Sequence, residues 1–565
     1  MATNRLIECV PNISEGRNRA VIDAIAQTVE TVDGVRLLDV DPGAATNRTV
    51  ITFVGPPEVI VEAAFRLISK AAELIDMSKQ TGEHPRMGAT DVCPFVPVAG
   101  VTMDDCIACA HALGERVGAE LDIPGYFYEE AASQPARKNL AFCRKGEYEG
   151  LEKLSDPAMR PDFGPAAFTD RARQTGATAI GARDFLVAYN INLNTTSSRR
   201  ASAVAFDIRE AGRIRREGGI TGPVVKDANG EPVRDPGLLK SVKGIGWYIP
   251  EYGVAQLSLN LTNIQITPVH VAFDAACERA HARGLRVTGS EVVGLVPLCV
   301  LTDAADHYLR KQERSLGVSV AEKVKIAVRT LGLDELTPFD PEKRVIEFLL
   351  RDADSAPLVQ MDLRAFAEET SSESPAPGGG SISAYVGALG VALGTMVANL
   401  SAHKRGWDDR WAVFSEVAER GLIYQSRLLS LVDEDTAAFE AIMHAYGLPK
   451  ANASQQAVRH AAIQSATLAA MHAPLEVAEQ SLASMQIMVE MAQDGNPNSI
   501  TDAGVGAMCA RTAVLGAVMN VRVNAPDLED RSAADGMLDR CNELEAAAER
   551  IERQVRDRVA EVLKA

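Results

Sequence analysis

The chain has 565 residues, 58 basic against 76 acidic side chains for a formal net charge of −18, 46% hydrophobic residues and only 5% aromatic ones. At roughly 150 residues per domain this length implies three or four domains rather than one core, and the acidic balance excludes a whole-chain nucleic-acid binder, because a large anion repels a phosphate backbone. Nine scattered cysteines form no disulfide framework, no C-x-x-C pair offers a zinc site, and residues 1–12, with Arg5 and Glu8, lack the apolar run of a secretory signal, so a cytoplasmic protein is expected.

Aliphatic or β-branched runs at 6–10, 35–40 and 49–54 alternate with helical-period segments at 15–31 and 57–70, a βαββα order. A strand at 93–98, a helix at 106–120 and a short strand near 126–128 follow. The pattern then restarts with a strand at 185–193 and a helix at 196–217. In the strand 256–267, Leu257, Leu259 and Leu261 alternate with polar Ser258, Asn260 and Thr262; a helix at 269–284 and a short strand at 285–287 come next. Residues 218–238, rich in Gly, Pro and charge, read as an exposed excursion. Two α/β subdomains are therefore expected at 1–184 and 185–350.

Near Arg351 the composition changes. Residues 351–361 have linker character, and from 362 to 565 strand signals give way to Ala-rich helices at 381–401, 413–446, 454–493, 502–523 and 533–563, the pattern of an all-α up-and-down helical bundle. The first of these is about long enough to cross a bilayer and has a G-x-x-x-G spacing at Gly390 and Gly394. Its Ala-dominated composition with further Gly and Ser fits a closely packed bundle helix better, and no membrane span is expected.

Four polar segments cluster at predicted strand ends, where loops on a rigid sheet hold ligand-contacting side chains: Val10-Pro-Asn-Ile-Ser-Glu-Gly16, Leu38-Asp-Val-Asp-Pro-Gly43, Thr46-Asn-Arg-Thr49 and Gly82-Glu-His-Pro-Arg-Met-Gly88. His84 is the acid/base candidate because imidazole titrates near neutrality; a plain turn histidine is the alternative. Asp39 and Asp41, two apart, share one strand face with Val40 on the other. In the helical half Leu428, Val432, Phe439, Ile442 and Tyr446 form an apolar stripe whose one gap is filled by Asp435. A carboxylate there needs either a function or a partner, such as a second helix that it caps. Asp433 and Glu434 project elsewhere and read as solvated. Ser374-Pro-Ala-Pro-Gly-Gly-Gly-Ser381 runs into a helix N-terminus, where exposed N–H groups receive anions; a hinge with an N-cap serine is the other reading. Gly495-Asn-Pro-Asn-Ser-Ile-Thr-Asp502 opens another helix, with Asp502 as N-cap or site residue.

Taken together, these segments with Leu37-Leu-Asp-Val-Asp41, Ile75-Asp-Met-Ser-Lys79, Asp91-Val-Cys-Pro-Phe95, Gly244-Ile-Gly-Trp-Tyr248, Gly289-Ser-Glu-Val-Val-Gly-Leu-Val-Pro297, Leu331-Gly-Leu-Asp334, Leu431-Val-Asp-Glu-Asp435 and Leu448-Pro-Lys450 resemble the formimidoyltransferase-cyclodeaminase family over nearly the whole chain. The resemblance implies two ferredoxin-like α/β subdomains followed by the helical bundle. It implies a bifunctional folate enzyme of histidine degradation that moves a formimidoyl group from N-formimidoyl-L-glutamate to N5 of tetrahydrofolate, then cyclises the product to 5,10-methenyltetrahydrofolate with loss of ammonia. His84 falls on the transferase histidine and Asp435 on the cyclodeaminase acid/base, with Asp41 orienting the imidazole. Asn12, Asn47 and Arg48 are candidates for substrate binding, and Gly164, Pro165, Ala166, Ala167, Phe168, Gly176 and Ala177 correspond to the folate segment, with an altered loop at 169–175. Gly378, Gly379, Gly380 and Ser381 are the candidate anion or folate site of the cyclodeaminase. Tetrahydrofolate, with a polyglutamyl tail as one form, is a co-substrate; no metal, nucleic acid or membrane is implied. A homo-oligomer is, with helix 544–563 as one contact, and Lys450 is a candidate for holding the folate tail. An N-formylglutamate-dependent formyltransferase and a non-catalytic folate-binding scaffold are the competing readings.

Overall fold

The computed structural model describes residues 5–44, 46–82, 85–157, 159–219, 221–351 and 357–564. The chain divides into two units, Met1–Val300 with Val328–Leu349 and Leu301–Ala327 with Leu350–Ala565. A sheet-containing N-terminal region is followed by a helical C-terminal region.

The opening strand of the first unit is interrupted at Pro11, which has no N–H for a ladder, into β1 (Leu6–Cys9) and β2 (Asn12–Ile13). Helix α1 (Arg19–Glu30), capped by the Asn18 side chain on the Val21 N–H, leads to β3 (Arg36–Gly43) and β4 (Arg48–Gly55). Helix α2 (Pro57–Leu74) opens with proline where the missing N–H has no intrahelical role. With β5 (Thr90–Ala99) it completes a βαββαβ run whose strands lie antiparallel in the order β3-β4-β1/β2-β5. Helix α3 (Met103–Leu121), with a Thr102–Asp105 capping box, carries the chain to β6 (Gly125–Glu129). After two short helices, α4 (Leu140–Cys143) and α5 (Asp170–Thr175), β7 (Thr178–Ala182) inserts parallel between β5 and β6.

The second half of this unit repeats the order: β8 (Val187–Leu193), α6 (Ser198–Ile208), a two-residue ribbon of β9 (Arg213–Ile214) with β10 (Arg234–Asp235) closing the excursion, then β11 (Val242–Ile249), β12 (Val254–Leu261), α7 (Val269–His281) and β13 (Val287–Val293). Its sheet runs β11-β12-β8-β13, all antiparallel, the same relative placement as in the first half. Helices α8 (Cys299–Lys311), α9 (Val320–Leu331), α10 (Pro341–Arg344) and α11 (Ile346–Leu349) follow, and the unit boundaries fall inside α8, inside α9 and at the end of α11.

Strand alternation fixes two unlike faces on each sheet. Ile7, Cys9, Ile51, Phe53, Cys93 and Phe95 join Ile25, Leu67 and Leu113 of the helices in one core. Burying such aromatic and aliphatic side chains contributes about 1.5–3 kcal/mol each. Glu8, Asn12, Val50, Thr52, Val92 and Pro94 point the other way.

Two departures from the sequence reading have local causes. The helix expected to 217 ends at Ile208, because Arg209 is extended (φ −65°, ψ 147°). Strand β11 had no alternation to announce it because Gly244 and Gly246 stand where apolar residues would. At Gly246 a Cβ would lie 2.0 Å from the Ser202 nitrogen, so α6 rests directly on the strand backbone.

The second unit contains α12 (Leu363–Thr370), α13 (Gly379–Ala402), α14 (Trp411–Gly447), α15 (Ala453–Asp494), α16 (Ile500–Asn524) and α17 (Arg531–Lys564). Residues 357–361 are not a free linker: Leu358 is buried in the helical core, and the Leu358 and Val359 N–H groups donate to Asp433 at 2.9 and 3.3 Å. Helices α13 and α16 are long and apolar enough to cross a membrane (mean hydropathy 1.6 and 1.3), with 61% and 50% of their most apolar stretches buried inside the unit. The G-x-x-x-G spacing is used within it, since a Cβ at Gly390 would meet Gly506 O at 2.8 Å and one at Gly394 would meet Ile487 at 2.9 Å.

Gly246→Ala should force α6 off β11 and destabilise the first unit by roughly 1–3 kcal/mol, read as a lower thermal midpoint for that unit with the helical unit's transition unchanged.

Candidate active sites

A cavity of about 1030 Å³ in the first unit is lined from both sheets, by Glu8, Asp39, Asp41, Arg48 and Tyr128 on one side and Ala188, Lys243, Asn260 and Val293 on the other. It lies near the upper end of the roughly 300–1,000 Å³ typical of small-molecule sites, which is room for two substrates together.

One wall is organised around Asp91, whose side chain is fully buried. It accepts from Arg48 Nη1, from Arg144 Nη2 at 2.5 Å and from the Met87 N–H at 3.0 Å. Arg48 Nε donates to Asn12 Oδ1 at 3.0 Å, and Asn12 Nδ2 donates to Val10 O at 2.9 Å. Burial lowers the Arg48 pKa against the raising effect of Asp91, yet a guanidinium stays charged. Two guanidiniums on one carboxylate leave this wall cationic. The opposing charge is on the sheet floor: Asp39 and Asp41 both reach the cavity from β3, as their spacing requires, and Glu8 reaches it from β1. Burial pushes the Glu8 carboxyl up to about 7, with Arg183 opposing and Glu347 adding to the rise. Burial, then the neighbouring Asp41, also raises Asp39, with Arg344 opposing.

His84 lies outside the described residues; Pro85, next to it in sequence, lines the cavity. Asn12, Asp41 and Arg48 line the cavity. Asn47 does not: in left-handed conformation (φ 50°), its side chain accepts the Gly16 N–H at 3.0 Å and donates to Thr81 O at 2.8 Å, fastening one loop to another. The segment expected to hold folate is likewise off the cavity wall. Gly164 (φ 75°) packs against Ile123 O, and Gly176 (φ 68°) against Met87 O. Pro165, Ala166 and Ala167 line no part of the cavity, and Phe168 meets the Tyr148 ring edge-on at 6.1 Å. Residues 169–175 form α5 with Thr169 as its cap. Because Ala177 N–H donates to Met87 O at 2.9 Å and Ala89 N–H to Thr175 O at 2.7 Å, the segment buttresses the stretch leading to Asp91. Glu8 and Arg144 carried no sequence signal as site residues: one sits in a strand, the other just past a four-residue helix. Asp91 did stand in a recognised segment.

In the second unit the Asp435 carboxylate sits at the N-terminus of α13. Ser381 Oγ donates to Asp435 Oδ2 at 3.0 Å and lies 3.1 Å from Thr436 Oγ1. A Cβ on Gly380 would stand 2.1 Å from Asp435 Oδ1, so only glycine admits the carboxylate there. The anion at this helix end is thus Asp435 itself. Ser381 is not the N-cap, a place taken by Gly378, while Gly379 approaches the Asn520 side chain. The contact gives Asp435 the partner on a second helix that its place in the apolar stripe called for. Burial raises its pKa, and hydrogen bonds from the Ser381 hydroxyl and backbone pull the other way. The flanking acids are engaged rather than solvated: Asp433 as above, and Glu434 with Arg427 at 2.5 Å, which also binds Glu476 at 2.6 Å.

Beyond Asp435 the expected buried stripe surfaces, with Phe439 and Tyr446 exposed. Asp502 lies in the first turn of α16 after the cap residue Ser499. The apolar side of 544–563 is used internally, through Leu544, Ala548 and Val555, whereas Leu389, Met396 and Leu400 of α13 and Met519 of α16 are exposed. Among the described residues no group of three or more His, Cys, Asp or Glu is placed to hold a metal ion.

Fold and sites define a two-part protein, a sheet-built unit with a charged cavity joined to a helical unit with a half-buried carboxylate. The N-terminal subdomain of the formiminotransferase domain matches residues 6–183, the formiminotransferase domain 188–351 and formiminotransferase-cyclodeaminase 362–543. A formimidoyltransferase-cyclodeaminase of Rattus norvegicus is 43% identical over 529 residues, 93% of this chain and 94% of its own length. Two shorter relatives align nearly end to end: a glutamate formimidoyltransferase of Streptococcus pyogenes serotype M1 (40% identity, 55% of this chain, 95% of its own) and a methenyltetrahydrofolate cyclohydrolase of Methylorubrum extorquens (35%, 35% and 97%). The chain belongs to the formimidoyltransferase-cyclodeaminase family.

A raised carboxyl pKa favours the protonated native state, so Asp435's contribution to stability is greatest below the unfolded value of 3.8 and is lost as pH rises through the folded value. The effect of Asp435→Asn on the helical unit's melting point should accordingly become more favourable from pH 4 to pH 8; a pH-independent difference would contradict the desolvated carboxylate.

Proposed function

We propose that the chain is a bifunctional enzyme of folate one-carbon metabolism, active in histidine degradation. The first unit transfers the formimidoyl group of N-formimidoyl-L-glutamate to N5 of tetrahydrofolate and releases glutamate. The helical unit closes 5-formimidoyltetrahydrofolate to 5,10-methenyltetrahydrofolate and releases ammonia. The observation that carries this is the 43% identity along 93% of the chain to a relative named for both activities.

The cavity chemistry supports the donor. Its amidine is a cation at neutral pH and its glutamate carries two carboxylates, and the cavity opposes Asp39 and Asp41 to Arg48 and Arg144. The carboxylates take the amidinium and the guanidiniums grip the glutamate. A neutral formyl group has no use for the acidic pair, which favours the formimidoyl donor over N-formylglutamate. N5 must lose a proton on attacking the amidine carbon and the glutamate nitrogen must gain one, a relay assigned to His84 with Asp41 orienting it. In the second step N10 attacks the same carbon; Asp435, its neutral form favoured by burial, protonates the departing amino group so that it leaves as ammonia, and the resulting carboxylate takes the proton that N10 loses.

Working boundaries are 1–184, 185–350, a connecting segment at 351–361 whose residues 357–361 dock on the helical core, and 362–565. Strand order with helices packed on one core supports reading each α/β half as ferredoxin-like and the last region as an up-and-down bundle. A homo-oligomer is supported by the exposed apolar residues of α13 and α16 in place of 544–563. Cytoplasmic location and a polyglutamyl folate tail, with exposed Lys450 as a contact, complete the proposal.

His84→Gln should lower formimidoyl transfer by about 100-fold or more while ammonia release from supplied 5-formimidoyltetrahydrofolate is retained, and Asp435→Asn should do the reverse. Loss of both activities in either variant would contradict separate sites. Arg144→Ala should raise KM for the glutamate donor by about 10-fold or more with a smaller change in kcat, in line with loss of a charged hydrogen bond.

A further inference from the structure

Glu8 is the one cavity carboxylate set deep in the sheet. It is 5% exposed, lines the cavity, and accepts no hydrogen bond among the described residues. A buried carboxylate left without a donor is costly unless a ligand supplies one. The adjoining row across the sheet is flat and apolar. Val10 N–H donates to Pro94 O; Pro94 lies opposite Gly181, and Gly181 opposite Tyr128. A Cβ on Gly181 would fall 2.6 Å from the Tyr128 ring, so that ring lies over the glycine. Glu8, opposite Val96, is one row further along.

We infer that Glu8 anchors the pterin ring of the reduced folate, its two carboxylate oxygens accepting from N3–H and the 2-amino group while Val10, Pro94 and Tyr128 support the ring face. This rests on the functional reading above and deepens it. A 2-amino-4-oxopyrimidine presents two parallel donors at that edge, the complement of a bidentate carboxylate. The placement also serves the reaction. Four residues separate Glu8 from Asn12 along one strand line, about 13 Å at roughly 3.3 Å per residue. Asn12 stands in register with Val50, and Val50 with Asp41. N3 and the 2-amino group belong to the pyrimidine ring and N5 to the fused second ring, so a pterin held at Glu8 by its pyrimidine edge extends N5 away from the carboxylate along this line, toward the donor's amidine at Asp39 and Asp41. The elevated Glu8 pKa agrees with a group whose charge is stabilised only when the ligand arrives.

The test compares binding of tetrahydrofolate and its 2-desamino analogue to the full chain by anaerobic calorimetry. The wild type should prefer tetrahydrofolate by about 10- to 100-fold, the value of a hydrogen bond to a charged group. Glu8→Gln, which sets an amide donor against a ligand donor, and Glu8→Leu should bind the two ligands alike, each with an unshifted or higher melting point because an uncompensated buried charge is gone. A wild type that binds tetrahydrofolate without preference, or a Glu8→Gln variant that keeps the preference, overturns the inference alone. A wild type that does not bind tetrahydrofolate overturns the functional reading itself.

Discussion

A β-sheet that packs helices against one face must do something with the other, and the first unit depends on that constraint. In each half the helices take the side of Phe53 and Phe95 or of Tyr189 and Leu257. The alternate residues, fixed at period two, are left to line the cavity between the halves. The charges there follow from strand register. Asp41, Val50, Asn12 and Val92 form one row across four strands, and Asp39 and Thr52 belong to the next. A one-residue slip would send Asp39 and Asp41 into the apolar core, so the hydrophobic pattern that fixes the register also fixes the site.

The cationic wall depends on a different economy. Asp91 is buried with no solvent to support it, and two guanidiniums answer it from separate parts of the chain. Truncating such a carboxylate would leave both arginines without orientation, a greater loss than the net value of either pair. The 164–177 segment contributes by holding the backbone at Met87 and Ala89, so residues outside the cavity still control its geometry.

In the helical unit the corresponding constraint is close approach. Glycine, alanine and serine along α13 let α14, α15 and α16 come within backbone distance, and at Gly380 the space saved is filled by the Asp435 carboxylate. The helix N-terminus stabilises the ionised form through Ser381 while burial opposes it more strongly. The net result is a carboxyl held above its ordinary pKa by burial.

Much of this was legible in the residues. Period-two and period-3.6 patterns located most of the strands and the long helices, and the spacing of Asp39 and Asp41 placed both on one face, because side-chain direction follows from local backbone geometry alone. The phase of Asp435 within its stripe likewise marked a carboxylate that needed a partner. Tertiary structure alone decided which partner it found, since α13 and α14 meet at Gly380 through packing that neither helix encodes by itself. It also set Asn47 and the 164–177 segment in contacts that tie loops together, made Arg144 and Asp91 one wall, and brought Glu8 to the cavity floor. Such roles depend on contacts between residues far apart in the chain, and no local pattern carries that information.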